Sequence, residues 1–106
     1  MSKKLVRDNI PNLISESGGS FPTEVISGDE LLSWLEDKIV EEAQELHEAT
    51  GDESRLEELA DLMEVVEAYR RAKGWSNDDV AAARDRKNAQ KGAFQKGYVT
   101  DFGGHE

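Results

Sequence analysis

The sequence predicts an all-α fold, in which two long amphipathic helices form an antiparallel hairpin and an additional helix follows. Three observations point there. Apolar residues recur at helical spacing from Leu31 to Ala49 and again from Leu56 to Tyr69. A short break containing Gly51 separates the two runs, so the helices must turn back on each other. A third helical segment opens at Ser76-Asn77-Asp78-Asp79, which resembles a capping box with Asp in place of the usual Glu or Gln.

The elements follow in order. The first 27 residues read as largely irregular. Pro11 is suited to open a short helix through about Ser17, with Leu13 and Ile14 on its inner side, and Gly18-Gly19 ends it. Phe21 to Ser27 reads as extended, and Pro22 argues against a central strand. Asp29 is the expected N-cap of a long helix to about Thr50. Gly51-Asp52 makes the turn, with Asp52 as candidate cap of a second helix from about Glu53 to Lys73. Its expected apolar face is Leu56, Leu59, Leu62, Met63, Val66 and Tyr69. Gly74 fits a C-terminal cap, the last helix continues to about Gln90, and the tail from Gly92 onward is extended. Trp34 and Val40 lie off the main stripe of their helix, which predicts pairing of the hairpin into a four-helix bundle, as a homodimer or higher homo-oligomer.

Composition bounds the function. The 106 residues suit one domain with a modest core. A net charge of -10, with 34% charged residues, excludes non-specific binding to nucleic acid polymers or anionic membranes. A phosphate-bearing substrate then requires local positive charge or a bridging metal. The absence of cysteine excludes disulfides and thiolate metal sites. No apolar run reads as a membrane span or signal peptide, and the expected location is cytoplasmic.

One feature of the first long helix is costly unless something compensates it. With Leu35 at the centre of the apolar stripe, Leu31, Leu32, Ile39, Leu46 and Ala49 lie within roughly 60° of it, and Glu42 within roughly 20°. A carboxylate facing a core needs a cation or a proton. Glu42 and Glu45 form an i, i+3 pair, and Glu58 and Asp61 form another on the next helix. A hairpin would gather all four around one point. Their donors are all hard oxygens, which select magnesium or manganese over zinc or copper. Lys38, one turn before Glu42, offers the structural alternative of an i, i+4 salt bridge, or it could reach a phosphate. The second helix supplies no basic residue between Glu57 and Tyr69. Glu41, Glu48, Glu57, Glu64 and Glu67 otherwise read as solvated.

The segments Lys38-Ile39-Val40-Glu41-Glu42-Ala43-Gln44-Glu45-Leu46 and Glu57-Glu58-Leu59-Ala60-Asp61-Leu62-Met63-Glu64-Val65-Val66 carry an EExxE…ExxD pattern. This resembles the signature of the MazG-like all-α nucleoside triphosphate pyrophosphohydrolases. Lys4-Leu5-Val6-Arg7-Asp8-Asn9-Ile10-Pro11 is similar to the KLVRDKIP opening of a small single-domain, house-cleaning branch, with Asn9 in place of Lys. Lys91-Gly92-Ala93-Phe94 resembles that branch's RGGF-type motif, with Ala93 in place of Gly. The resemblance implies metal-dependent hydrolysis of nucleoside triphosphates to monophosphate and pyrophosphate. It implies Glu42, Glu45, Glu58 and Asp61 as magnesium ligands and places a basic segment with an Asn near the nucleotide. Phosphoribosyl-ATP pyrophosphohydrolase shares the pattern, and a non-catalytic nucleotide- or partner-binding module is the reading from a different class.

Arg84, Lys87, Asn88 and Lys91 recur at i, i+3, i+4 and i+7 on the last helix. Lys87, Asn88 and Lys91 are candidates to grip phosphate oxygens, and the alternative is simple dipole compensation. No Ser, Cys or His stands in a nucleophile arrangement, so water is the expected attacking group, with Glu41 or Glu45 as proton acceptor and Lys38 as a further charge stabiliser. Trp34 reads as a core or dimer contact, with nucleobase stacking as the alternative, and Trp75 as a packing anchor. His47 is expected on an exposed face and His105 in the tail, while Tyr98 and Phe102 could cover a pocket or a neighbouring subunit. Arg7 and Asp8 are expected to pair with each other.

Overall fold

A computed structural model describes residues 3–103 of the chain. The regular structure among them is entirely helical: α1 Ile10–Glu16, α2 Gly28–Glu48, α3 Asp52–Lys73 and α4 Asn77–Lys91. The chain divides into two compact units, one ending at Trp75 and the other beginning at Ser76. No helix among the described residues is long and apolar enough to cross a membrane. His105 lies outside the described residues.

In the first unit, α2 and α3 pack along each other. Glu36 meets Tyr69, while Glu45, further along α2, meets Glu58, nearer the start of α3; the helices therefore run antiparallel. The connection is short. Ala49 turns to an extended conformation and Gly51 takes φ 83°, a value that L side chains rarely adopt. Two expected caps move. Ser27, not Asp29, precedes α2, because the Leu31 N–H bonds the Ser27 carbonyl and draws Gly28 into the helix. Gly51, not Asp52, precedes α3, with the Arg55 N–H on its carbonyl at 3.0 Å. Asp29, Glu30, Asp52 and Glu53 instead lie in first turns, where negative charge favours the helix dipole.

The far end of α3 closes as expected. Gly74 sits in the left-handed region, and the Gly74 and Trp75 N–H groups bond the carbonyls of Arg71 and Arg70 in a Schellman arrangement. Arg70 also donates to the Trp75 carbonyl at 2.6 Å and to Glu67. Trp75 meets the Tyr69 ring edge-on and lies under the Lys73 ammonium, which fits its expected role as an anchor.

The apolar residues of α3 do not form the one face expected. Leu62, Val65, Ala68 and Tyr69 are half-buried, on the side that carries Glu58 and Asp61. Leu56, Leu59, Met63 and Val66 are 68, 43, 63 and 49% exposed. At about 100° per residue these form a second seam, roughly 120° around the helix. In α1, Ile10, Pro11 and Ile14 are half-buried, whereas Leu13, expected inside, is exposed.

In the second unit, the Ser76 hydroxyl accepts from the Asp79 N–H at 3.0 Å, and the Asp79 carboxylate accepts from the Ser76 N–H at 2.8 Å. The capping box is complete, with Asp in the reciprocal position. The described tail beyond Gly92 has no regular structure, and Phe94, Tyr98, Val99 and Phe102 are exposed.

Candidate metal centre

Helical periodicity places Leu35 and Glu42 on one line of α2, two turns apart. They are the two buried residues of that helix, at 5 and 7% exposure. The apolar stripe of the hairpin therefore continues into a carboxylate.

The hairpin brings all four expected ligands together. Glu42, Glu58 and Asp61 present oxygens within 4.8 Å of one another, as do Glu41, Glu42 and Glu45. Glu42 belongs to both groups, and Glu45 reaches both Glu42 and Glu58. The expected ligand set thus spans α2 and α3, and Glu41 flanks it.

Its negative charge is only partly compensated. Burial pushes the Glu42 carboxyl up from 4.5 to about 7, reinforced by a hydrogen bond with Glu45 and by the charges of Glu45 and Asp61. Glu58 is raised for the same reasons, burial first and Glu45 next. Lys38 opposes the effect by approaching Glu42 Oε1 at 3.7 Å, but it also bonds Glu41 Oε1 at 3.3 Å. Glu42 Oε2 and Glu58 Oε2 are buried with no hydrogen-bond partner. One shared ammonium does not satisfy this cluster, so the simple i, i+4 salt bridge is an incomplete account of Glu42. Two orphaned carboxylate oxygens in one acidic cluster are the kind of donors that a hard divalent cation takes as ligands.

One cation of the cluster was not anticipated. Arg7 does not pair with Asp8; its Nη2 donates to Asp61 Oδ1 at 2.7 Å. The partners are 54 residues apart, beyond any local spacing rule. Lys87, Asn88 and Lys91 belong to the second unit, where they are exposed and, with Arg84, share one face of α4. Trp34 is half-buried on α2, and His47 is exposed. No family model, no curated protein and no solved structure matches the chain.

Proposed function

We propose that this chain is a metal-dependent nucleoside triphosphate pyrophosphohydrolase acting on modified nucleotides. The observation that carries the reading is Glu42, buried yet lacking a partner for Oε2, among Glu45, Glu58 and Asp61. The resemblance of three segments to the MazG-like enzymes supports the same conclusion. In this reading Glu42, Glu45, Glu58 and Asp61 hold magnesium or manganese. The bound ion would supply charge neutralisation at the phosphates and a water acidic enough to act as nucleophile near neutral pH.

The chain's own residues do the rest. Glu45, exposed beside the buried Glu42, and Glu41, half-buried next to it, are the two candidates to accept the water's proton. Lys38 sits against Glu41 and Glu42 and stabilises charge that develops on a phosphate brought to them. Lys87, Asn88 and Lys91 form an exposed donor face on α4, in the second unit, of the chemistry that binds phosphate oxygens. The decisive assay is pyrophosphate release from standard and modified nucleoside triphosphates, with magnesium, with manganese and with chelator. Metal-dependent release of pyrophosphate is the expected result. Release of orthophosphate instead would overturn the reaction class. Silence on the panel but turnover of phosphoribosyl-ATP would move the substrate to that nucleotide, and tight metal binding without any turnover would favour a binding module.

Self-association belongs to the same reading. Leu56, Leu59, Met63 and Val66 follow a 3–4–3 spacing, the a/d seam of a short heptad pattern. Such a seam is complementary to itself, so a second copy of the chain is its natural occupant, and two hairpins joined there make a four-helix bundle. Sedimentation should show a dimer or higher oligomer that Leu59→Asp with Met63→Asp converts to monomer. A monomeric wild-type protein at micromolar concentration would exclude the bundle.

A further inference from the structure

We propose that Arg7 is a tethered counter-cation of the acidic centre, which exchanges between Asp61 and a phosphate of a bound ligand. The inference rests on the reading of the cluster as a divalent-ion site. Three observations carry it.

The first is delivery. Arg7 lies just before α1, where its carbonyl accepts the Ile10 N–H at 3.0 Å. Lys3, upstream, bonds Glu24 at 2.9 Å. The backbone at Arg7 is thus turned into α1, and from there the guanidinium reaches Asp61 on α3. The second is charge. Among the described residues, the cations in ion pairs with the cluster are Lys38, against Glu41 and Glu42, and Arg7, against Asp61. A polyphosphate approaching this face of the first unit meets five carboxylates and these two cations.

The third is geometry. Among the described residues, the Arg7 side chain makes one hydrogen bond, through Nη2, and it is exposed. A guanidinium carries five N–H donors, and its planar fork matches phosphate oxygens. A divalent ion arriving at Asp61 competes for the same carboxylate and repels the guanidinium. An exposed ion pair of this kind is worth a factor of about two to five in an equilibrium, so the ion can displace it. The freed fork then gains a stronger, bidentate partner in a phosphate.

The test uses the full chain in three forms: wild type, Arg7→Ala and Arg7→Lys, each checked for helical content by circular dichroism. Manganese binding is followed by electron paramagnetic resonance, and inorganic triphosphate binding by calorimetry at saturating manganese. Arg7→Ala should bind manganese about two- to five-fold more tightly, because its competitor is gone. It should bind the triphosphate about ten-fold more weakly, because a charged donor is gone. Arg7→Lys should resemble wild type for manganese and fall between the two for triphosphate. Unchanged manganese affinity in Arg7→Ala, or unchanged triphosphate affinity, overturns the exchange and leaves Arg7 as an anchor of the N-terminal segment. Failure of wild type to bind manganese at all overturns the metal-centre reading itself, a separate result.

Discussion

Glu42→Gln should abolish turnover while making the metal-free protein more stable at neutral pH. The two effects share one cause. Glu42 is 7% exposed, its Oε2 has no partner, and Glu45, Glu58 and Asp61 surround it. Without metal, a folded chain must either keep a proton on this group or hold several negative charges together. Glutamine keeps the shape, removes the charge and offers an amide that can donate to Glu45 or Glu58. The relief should be about 1–2 kcal/mol, which raises the melting temperature by about 5–10 °C in a domain of this size. In the proposed metal centre the same substitution removes a ligand oxygen. Turnover should fall by a factor on the order of 10³. Magnesium at about one hundred times its dissociation constant should stabilise wild type by about 2.7 kcal/mol beyond a sodium control and leave the variant unmoved. Retained activity in Glu42→Gln, or equal magnesium stabilisation of both proteins, would remove Glu42 from the ligand set.

The second large effect is a reversal of pH dependence by metal. Burial and Glu45 raise the Glu42 carboxyl from 4.5 to about 7 in the folded chain. Between those values the native state holds a proton that the unfolded chain has released. Glu42 therefore contributes stability that is fully present below about 4.5 and is lost as pH rises through about 7. Glu58, raised in the same direction, adds to this. The Glu42 shift alone sets a ceiling of about 3 kcal/mol. Screening by solvent, which reaches the cluster at the exposed Glu45, reduces that to about 1–2 kcal/mol. Glu67 acts oppositely: its bond to Arg70 holds it below the usual carboxylate range, so its contribution fails only in acid. The metal-free protein should thus be most stable at weakly acidic pH. Metal binding needs the deprotonated oxygens, so stabilisation by magnesium should grow as pH rises through about 7. Thermal melts between about pH 5.5 and about pH 8.5, with chelator or with magnesium, should show the two slopes with opposite sign. Parallel slopes would mean that no ion replaces the proton at this cluster.

What could be read from the chain, and what could not, divides by range. The position of Glu42 on the apolar stripe follows from helical period alone, and the structure buries it beside Leu35's side of α2. The Ser76 capping box and the Gly74 cap are local as well, set by residues within one turn. Local rules fail where two answers have equal local merit. Serine at 27 and aspartate at 29 both cap helices well, and the backbone bond from Leu31 to Ser27 decides between them. The two apolar seams of α3 are both amphipathic by period, and the partner helix selects the one that carries Glu58 and Asp61. Arg7 and Asp8 are adjacent opposite charges, yet Arg7 finds Asp61 across 54 residues because the fold brings α3 within reach.

The paired carboxylates on α2 and α3 have a consequence for how the hairpin is held shut. The chain contains no cysteine, so no covalent staple can join the two helices. An ion held by Glu42 and Glu45 from one helix and by Glu58 and Asp61 from the other would be such a staple in reversible form. It would close a loop of only about fifteen residues, a constraint that the unfolded chain does not feel. Unlike a disulfide, it could form only after the helices had found their register, since a slip of one residue would turn half of the ligands away. The ion would then act as a proofreader of the fold as well as its clasp, admitted to the hairpin only when the alignment is right.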